Sequence, residues 1–457
     1  MTTLIILSAL GMVTLFSEIF GYKKIMLPIV FAGLSIALAA SIYDWNTGKH
    51  YLNEMMIVDN YSIAFTSLMI AVTIIWFILS PRFFHEPSSR IDHFSLIIFA
   101  LIGAQLMTSF GNMIMLFLAI EILSIPMYIL AGSKKSSLSS NEAALKYLLM
   151  GAFATGFLLF GITLIYGETG SFNLAQITQS LASHAGEPSP MVIAGMLLIL
   201  VGLAFKVSAV PFHFWAPDVY TGSPTVVTAF MSTVVKTAAF AGFFRLFFHT
   251  FGASGPSWTT TLWVISAATI IIGNITAVYQ NNFKRMLAYS SIAHAGYMLM
   301  AIMALNNYAQ QSILYYAVAY SISSISAFGV LLAVSHVTGN DSVESFNGLA
   351  KKNPLLAFIT LIAMLSLAGI PPLAGFFAKY YIFTAALQQH YTWLVVIAVM
   401  GSLTGVYYYF RIIIAIFRFE NEGIEIPMTT SFKAALLFIS AAAIVLGIMP
   451  QWIAGLL

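Results

Sequence analysis

Long uncharged apolar runs recur along this chain from end to end, and they leave it few options. About 20 apolar residues is the length at which an α-helix crosses the hydrocarbon of a bilayer. Only helices and closed barrels satisfy every backbone group there. Seven such runs lie in the first half of the chain, at roughly 2–20, 25–43, 57–80, 91–109, 111–131, 141–166 and 190–213. Seven more follow, at roughly 223–249, 258–279, 285–305, 310–337, 354–387, 391–418 and 431–454. Only 8% of the 457 residues are charged and 60% are hydrophobic, whereas ordinary soluble domains are about 25% charged. The fold class is therefore an all-α polytopic membrane protein with about fourteen transmembrane helices. The first run has no basic leader or small-residue cleavage site, so it reads as a helix that stays. Loops are short except 167–189, which carries His184 and Pro188.

Alternating the loops between the two sides separates the basic residues. One side takes Lys23, Lys24, Arg82, Arg90, Lys134, Lys135, Lys284, Arg285, Lys351, Lys352, Arg418 and Lys433, and the other Lys49 and Arg245. Cytoplasmic loops are enriched in Lys and Arg, so the first side faces the cytoplasm and both termini lie outside. The chain has no cysteine, which excludes disulfides, iron–sulfur ligation and c-type haem. Neither a basic face for nucleic acid nor a soluble catalytic constellation is present.

Several charges remain that the loops cannot hold. Glu121 lies midway along the fifth run, Lys146 in the sixth, Lys206 in the seventh, Lys236 in the middle of the eighth and Lys379 in the twelfth. Each costs roughly 2.5–3.5 kcal/mol at a helix centre, so an intramembrane charge reads as functional unless a structural reason replaces it. Snorkelling to the surface is the structural alternative for Lys146, and a plain ion pair with one lysine is the alternative for Glu121. Pairing cannot account for the whole set, because four lysines face one central carboxylate. The others must be hydrated, paired with Asp218 or Glu142, or able to change charge, and a lysine that a neighbour can switch is a proton donor and acceptor. His213 and His294 lie in apolar runs and could relay protons, with Tyr289 among the hydroxyls before His294. His336 sits near a helix end and reads as solvated. The tyrosines as a class read as packing and lipid-facing residues.

Two runs carry breaks. Pro211 and Pro217 interrupt the seventh, and Gly369, Pro371 and Pro372 interrupt the twelfth. Proline removes a backbone donor and clashes with the preceding turn, and a broken helix survives in hydrocarbon only beside protein or a water-filled cavity. The fourth to eighth runs then match the ninth to thirteenth, each set with its break in fourth place. Five is odd, so the two units insert with opposite topology, as inverted repeats do in transporters. The domain reading is helices 1–3 in 1–90, a first repeat in 91–250, an inverted second repeat in 251–420 and a last helix in 421–457.

The stretch Ala209-Val210-Pro211-Phe212-His213-Phe214-Trp215-Ala216-Pro217-Asp218-Val219-Tyr220, followed by Gly222-Ser223-Pro224-Thr225, resembles the antiporter-like family of proton-conducting complex I membrane subunits. The resemblance extends to Glu142-Ala143-Ala144-Leu145-Lys146-Tyr147, to Lys284–Ile292 and to Gly369–Phe376, and covers roughly 90–420. Its Phe-Trp-Ala-Pro-Asp-Val-Tyr form looks like that of the N-type branch, whereas the M and L types more usually read Trp-Leu-Pro-Asp. The resemblance implies a gating pair in Glu121 and Lys206, a central carrier in Lys236 and a terminal residue in Lys379. It implies M- and L-type neighbours and small subunits such as K and J in a bacterial inner membrane. NADH, FMN, iron–sulfur clusters and quinone would then be handled elsewhere, with no cofactor in this chain. A subunit of a multisubunit sodium/proton antiporter is the alternative, since the same ionisable set would serve it. A quinone-binding or purely scaffolding subunit is a third possibility, and a scaffold has no use for five charges in hydrocarbon.

Overall fold

A computed structural model describes residues 1–17, 25–80, 87–183, 188–418 and 425–457. Lys23, Lys24, Arg82 and His184 lie outside the described residues, as does the side chain of Arg90. The chain opens with α1 (Thr2–Phe16) and α2 (Met26–Tyr43), then a short antiparallel pair, β1 (Lys49–Tyr51) and β2 (Met56–Val58), with Lys49 opposite Val58. Next come α3 (Asn60–Leu79), α4 (Pro87–Ser109), α5 (Met113–Ala131), α6 (Leu138–Thr169), α7 (Leu174–Ser183) and α8 (Pro190–Lys206). A short α9 (Trp215–Gly222) is followed by one continuous span, Thr225–Thr250, containing α10 (Thr225–Phe230) and α11 (Lys236–Arg245). The rest comprises α12 (Thr259–Val278), α13 (Phe283–Ala304), α14 (Asn307–Thr338), α15 (Leu349–Lys352) and α16 (Pro354–Ala368). It ends with α17 (Ala374–Gln388), α18 (Thr392–Ile416), α19 (Thr430–Ile448) and α20 (Gln451–Ala454).

Among the described residues ten helices are long and apolar enough to cross a membrane, and four shorter apolar helices accompany them. Together they account for the fourteen expected runs. One element was not expected, and the two expected breaks are present. The loop 167–189 contains α7, whose Leu174, Ile177 and Leu181 are buried at helical spacing, an amphipathic pattern too short to stand out from its polar flanks. The seventh run breaks around Pro211, its helix ending already at Lys206, and the twelfth divides into α16 and α17 at Gly369–Pro372.

Two compact units divide the chain, one made of residues 1–207 and 234–261, the other of 208–233 and 262–457. In the first, α4 packs against α1, α3, α5 and α11, and α6 against α8. Gly161 and Gly195 allow that last approach, because a Cβ on Gly161 would meet the Gly195 carbonyl at 2.7 Å; small residues let membrane helices close up in this way. In the second unit α14 is central, packed by α13, α16, α17 and α19.

Local construction is alike in the two halves of the sequence. The side chain of Asn112 caps α5 by accepting from Ile114 N–H at 2.8 Å, and that of Asn282 caps α13 by accepting from Arg285 N–H at 2.9 Å. The Met113 N–H donates to the Phe172 carbonyl at 2.9 Å, and the Phe283 N–H to the Asp341 carbonyl at 2.7 Å. Those carbonyls lie just beyond α6 and α14, both of 32 residues, which end on Gly170 (φ +66°) and Gly339 (φ +68°). Cis peptide bonds occur at Val210–Pro211 and Pro371–Pro372.

Arg245 is 3% exposed and fixes the end of α11. Its Nη2 donates to both Asp59 carboxylate oxygens, at 2.6 and 2.8 Å, and its guanidinium lies 5.3 Å from the Tyr61 ring centroid. Asp59 also caps α3, accepting from the Ser62 N–H at 2.8 Å. Burial by itself would raise the Asp59 carboxyl, but Arg245 and the Ser62 donors together hold it below its usual value. A carboxylate lowered in the folded state stabilises the protein at neutral pH, and that stabilisation disappears as pH falls through the lowered value, below about 4. Arg245→Met is therefore expected to remove roughly 1–3 kcal/mol and to flatten the acid limb of a melting-temperature profile. An unchanged acid limb would contradict this role.

Candidate functional site

In the first unit, Lys206 closes α8 and is 6% exposed. Its Nζ donates to Ser124 Oγ at 2.5 Å, and the Ser124 hydroxyl donates in turn to the Ile120 carbonyl of α5. The ammonium stands 6.0 Å from the Tyr147 ring centroid, and Tyr147 meets Tyr128 edge to face at 4.7 Å. Half-buried Glu121 acts on Lys206 through its charge. The ion pairs found among the described residues do not include Glu121. The expected Glu121–Lys206 couple is thus open, with the serine one turn along α5 holding the lysine. Pro126 sits inside α5 and removes a donor from the ladder just beyond this point.

Lys236 is 2% exposed and is the first residue of α11, directly after a π-helical turn at Met231–Val235. Single π-turns inside α-helices recur at functional sites. Ser232 and Thr233 donate to the Ala229 carbonyl at 3.1 and 2.7 Å, so their hydroxyls cover the widened backbone.

In the second unit, Lys379 is 7% exposed. Its Nζ donates to the Ala368 carbonyl at 2.7 Å and to Ser402 Oγ at 2.8 Å, and lies 5.5 Å from the Tyr297 ring centroid. Ala368 is the last residue of α16, so the ammonium sits at the negative end of a half-helix dipole. Gly369 makes room for it: φ is +84°, and a Cβ there would come 3.0 Å from Nζ. Hydroxyls satisfy the broken backbone on both sides. The Gly375 N–H donates to Ser366 Oγ at 3.2 Å, and the Val210 N–H to Thr269 Oγ1 at 2.9 Å. Lys284, expected in a loop, is instead 3% exposed and caps α9 by donating to the Thr221 and Ser223 carbonyls at 3.2 and 2.5 Å. Arg285 pairs with half-exposed Asp218 at 3.0 Å.

The expected relay residues divide. His294 Nδ1 is hydrogen-bonded to the Tyr316 hydroxyl at 2.6 Å and Nε2 to the Tyr409 hydroxyl at 3.1 Å, and Tyr409 also bonds Ser290. A cavity of about 10 Å³ adjoins His294, Tyr316, Tyr320, Ser323 and Ser366, close to the room one water needs. His213 is 5% exposed, in the stretch between α8 and α9, and its Nδ1 has no hydrogen-bond partner among the described residues. Tyr289 is half-buried beneath the Arg285 guanidinium, 5.9 Å from its centroid. Lys146 stands apart on α6, 39% exposed and paired with Glu142 at 2.7 Å. His336 is exposed. Sequence reasoning missed Ser124, Lys284 and the tyrosines around His294, which are bonded side chains rather than packing alone. Among the described residues no group of three or more His, Asp or Glu gathers to hold a metal ion.

The family profile described as NADH:quinone oxidoreductase/Mrp antiporter, TM matches residues 111–405. NADH-quinone oxidoreductase subunit N of Cytophaga hutchinsonii is 44% identical over 455 residues, covering 99% of this chain and 98% of that protein. The chain belongs to the subunit N family of NADH-quinone oxidoreductases. The subunit N of Flavobacterium psychrophilum is 42% identical with both chains fully covered. A chain of respiratory complex I from Thermus thermophilus with bound aureothin superposes with a TM-score of 0.85 at 35% identity, covering 99% of this chain and 98% of that one. A chain of the Mrp complex from Dietzia sp. shares the fold, with a TM-score of 0.88 at 21% identity and 99% and 95% coverage.

The Gly369 geometry separates backbone strain from lysine placement. Gly339 has similar φ, +68°, and open space around it. Alanine at Gly339 should cost only the left-handed backbone penalty, about 1–2 kcal/mol, whereas Gly369→Ala must also displace Lys379. Thermal unfolding of the two variants is expected to rank Gly369→Ala clearly lower; equal losses would contradict the packing of Lys379 on Gly369.

Proposed function

We propose that protons cross the membrane through this chain along Glu121, Lys146, Lys206, Lys236 and Lys379, within an NADH-quinone oxidoreductase. One observation carries the proposal: Lys206 and Lys379 are buried and held by neutral oxygens, Ser124 Oγ for the first, the Ala368 carbonyl and Ser402 Oγ for the second. A buried lysine without a bonded carboxylate is a charge that a small displacement can shift. Ser124 and Glu121 lie one turn apart on α5. Moving the Lys206 ammonium from the serine to Glu121 closes an ion pair and alters the field at α11, which packs against α8. Lys236 opens α11 and is the group this switch addresses. Protons enter from the cytoplasm through the first half, lodge at Lys236 and leave by way of Lys379. His213 and His294 serve as relays, and Lys146 stands at the exposed edge of the set.

The like-built caps and paired 32-residue helices support reading 91–250 and 251–420 as inverted repeats, flanked by 1–90 and 421–457. M- and L-type subunits and small subunits such as K and J are the partners, in a bacterial inner membrane with both termini on the outer side. The basic loops support that orientation. NADH, FMN, iron–sulfur clusters and quinone belong to other subunits, and the absence of cysteine here accords with that division. For a sodium/proton antiporter the support is the shared fold and a family profile whose description spans both kinds of protein.

Lys236→Ala is expected to abolish or sharply reduce NADH-driven proton uptake into inverted membrane vesicles, while the complex assembles and still oxidises NADH with an artificial acceptor. Unchanged protons per electron would overturn the proposal.

A further inference from the structure

Lys379 has more donors than oxygens to receive them. An ammonium carries three N–H groups. Among the described residues Nζ makes two hydrogen bonds, to the Ala368 carbonyl at 2.7 Å and to Ser402 Oγ at 2.8 Å. It also lies over the face of the Tyr297 ring, 5.5 Å from the centroid. The negative face of an aromatic ring attracts a cation within about 6 Å, and most strongly where both are desolvated. Here the lysine is 7% and the tyrosine 2% exposed. A neutral amine that kept both oxygens with its two N–H groups would turn its lone pair toward that same negative face. The site is therefore complete for the charged form.

The ring gives this support without a hydrogen bond. The Tyr297 hydroxyl accepts from Asn274 Nδ2 at 3.1 Å and makes no bond to Lys379. Neighbouring rings fix the plane: His294 meets it edge to face with centroids 5.9 Å apart, and Phe383 does so at 6.2 Å. Adjacent residues of α18 seat the two partners. A Cβ on Gly401 would come 3.2 Å from the Tyr297 hydroxyl, and Ser402 bonds the lysine.

We propose that Tyr297 is a positioning residue whose ring face holds the Lys379 ammonium at the end of α16, so that this lysine waits there in its charged form. This rests on the proton-translocation reading. The electron density of the ring carries the effect, and its hydroxyl serves only to anchor the plane. Drawing Nζ away from the ring and from the Ala368 carbonyl removes what favours the charge, which joins displacement of the lysine to loss of its proton.

Fluorine withdraws electron density from a ring and weakens its negative face at nearly constant shape. The test replaces Tyr297 in the assembled complex by Phe, then by phenylalanines with rising numbers of ring fluorines. Tyr297→Phe is expected to move protons at close to the parent ratio per NADH. Proton movement and the thermal stability of the purified complex should then fall stepwise with fluorination, and Tyr297→Leu should be lowest in both. With Lys379→Met also present, fluorination should leave thermal stability unchanged, because no cation faces the ring. A flat response across the fluorinated series, or Tyr297→Phe as impaired as Tyr297→Leu, overturns the proposal; the series decides alone if Tyr297→Leu does not assemble. The two readings fail separately. Flat stability alongside lost pumping by Lys379→Met removes the role of Tyr297 alone. Stepwise loss of stability that needs Lys379, alongside normal pumping by Lys379→Met, leaves the ring holding the ammonium and removes Lys379 from the translocation route.

Discussion

Where a helix breaks inside hydrocarbon, the freed backbone groups need partners that lipid cannot supply. Among the described residues the chain breaks in this way after Lys206 and after Ala368, and the partners it provides are the side chains from which the candidate site is built. Lys379 bonds the last carbonyl of α16. Lys284 bonds the carbonyls that end α9. Ser366 and Thr269 take the amide donors. A lysine placed at the carbonyl end of a half-helix is stabilised by the local dipole, which makes a carboxylate partner unnecessary. Structural need and chemical readiness thus fall on the same atoms.

The two halves meet this constraint with different residues. Counted from the capping asparagines Asn112 and Asn282, the position of Ser124 on α5 corresponds to that of His294 on α13. In the first half the site is filled by a direct lysine–serine bond. In the second, an imidazole with two tyrosine hydroxyls stands beside a water-sized cavity. Similar caps and helix lengths thus accompany a direct lysine–serine bond in the first half and a histidine beside a water-sized cavity in the second. Sequence comparison of the breaks alone, with Lys206 before one and Lys379 after the other, does not expose this correspondence.

Much of the fold was legible because hydrocarbon imposes a length rule that each run either meets or fails. The intramembrane charges were legible for the same reason, since nothing in an apolar run hides a lysine. The partners were not. Whether Ser124 faces Lys206, or two tyrosines face His294, depends on which helix faces meet, and helices that are apolar on every side give no periodic signal. Tyr316 and Tyr409 were read as packing because an aromatic ring buries well with or without a bonded hydroxyl. Lys284 looked like a loop charge because it follows the capping asparagine Asn282 at the very start of α13. The helix α7 was concealed by the polar residues around its buried stripe.

The central claim is that the buried lysines act by releasing and regaining a proton, not merely by carrying charge. Arginine keeps the charge and the donors but stays protonated in proteins. The decisive measurement is the number of protons moved per NADH by the assembled complex carrying Lys236→Arg. The account predicts that NADH oxidation with an artificial acceptor persists while proton movement is lost. Pumping at the parent ratio would mean that a fixed positive charge suffices at this position, and would contradict it.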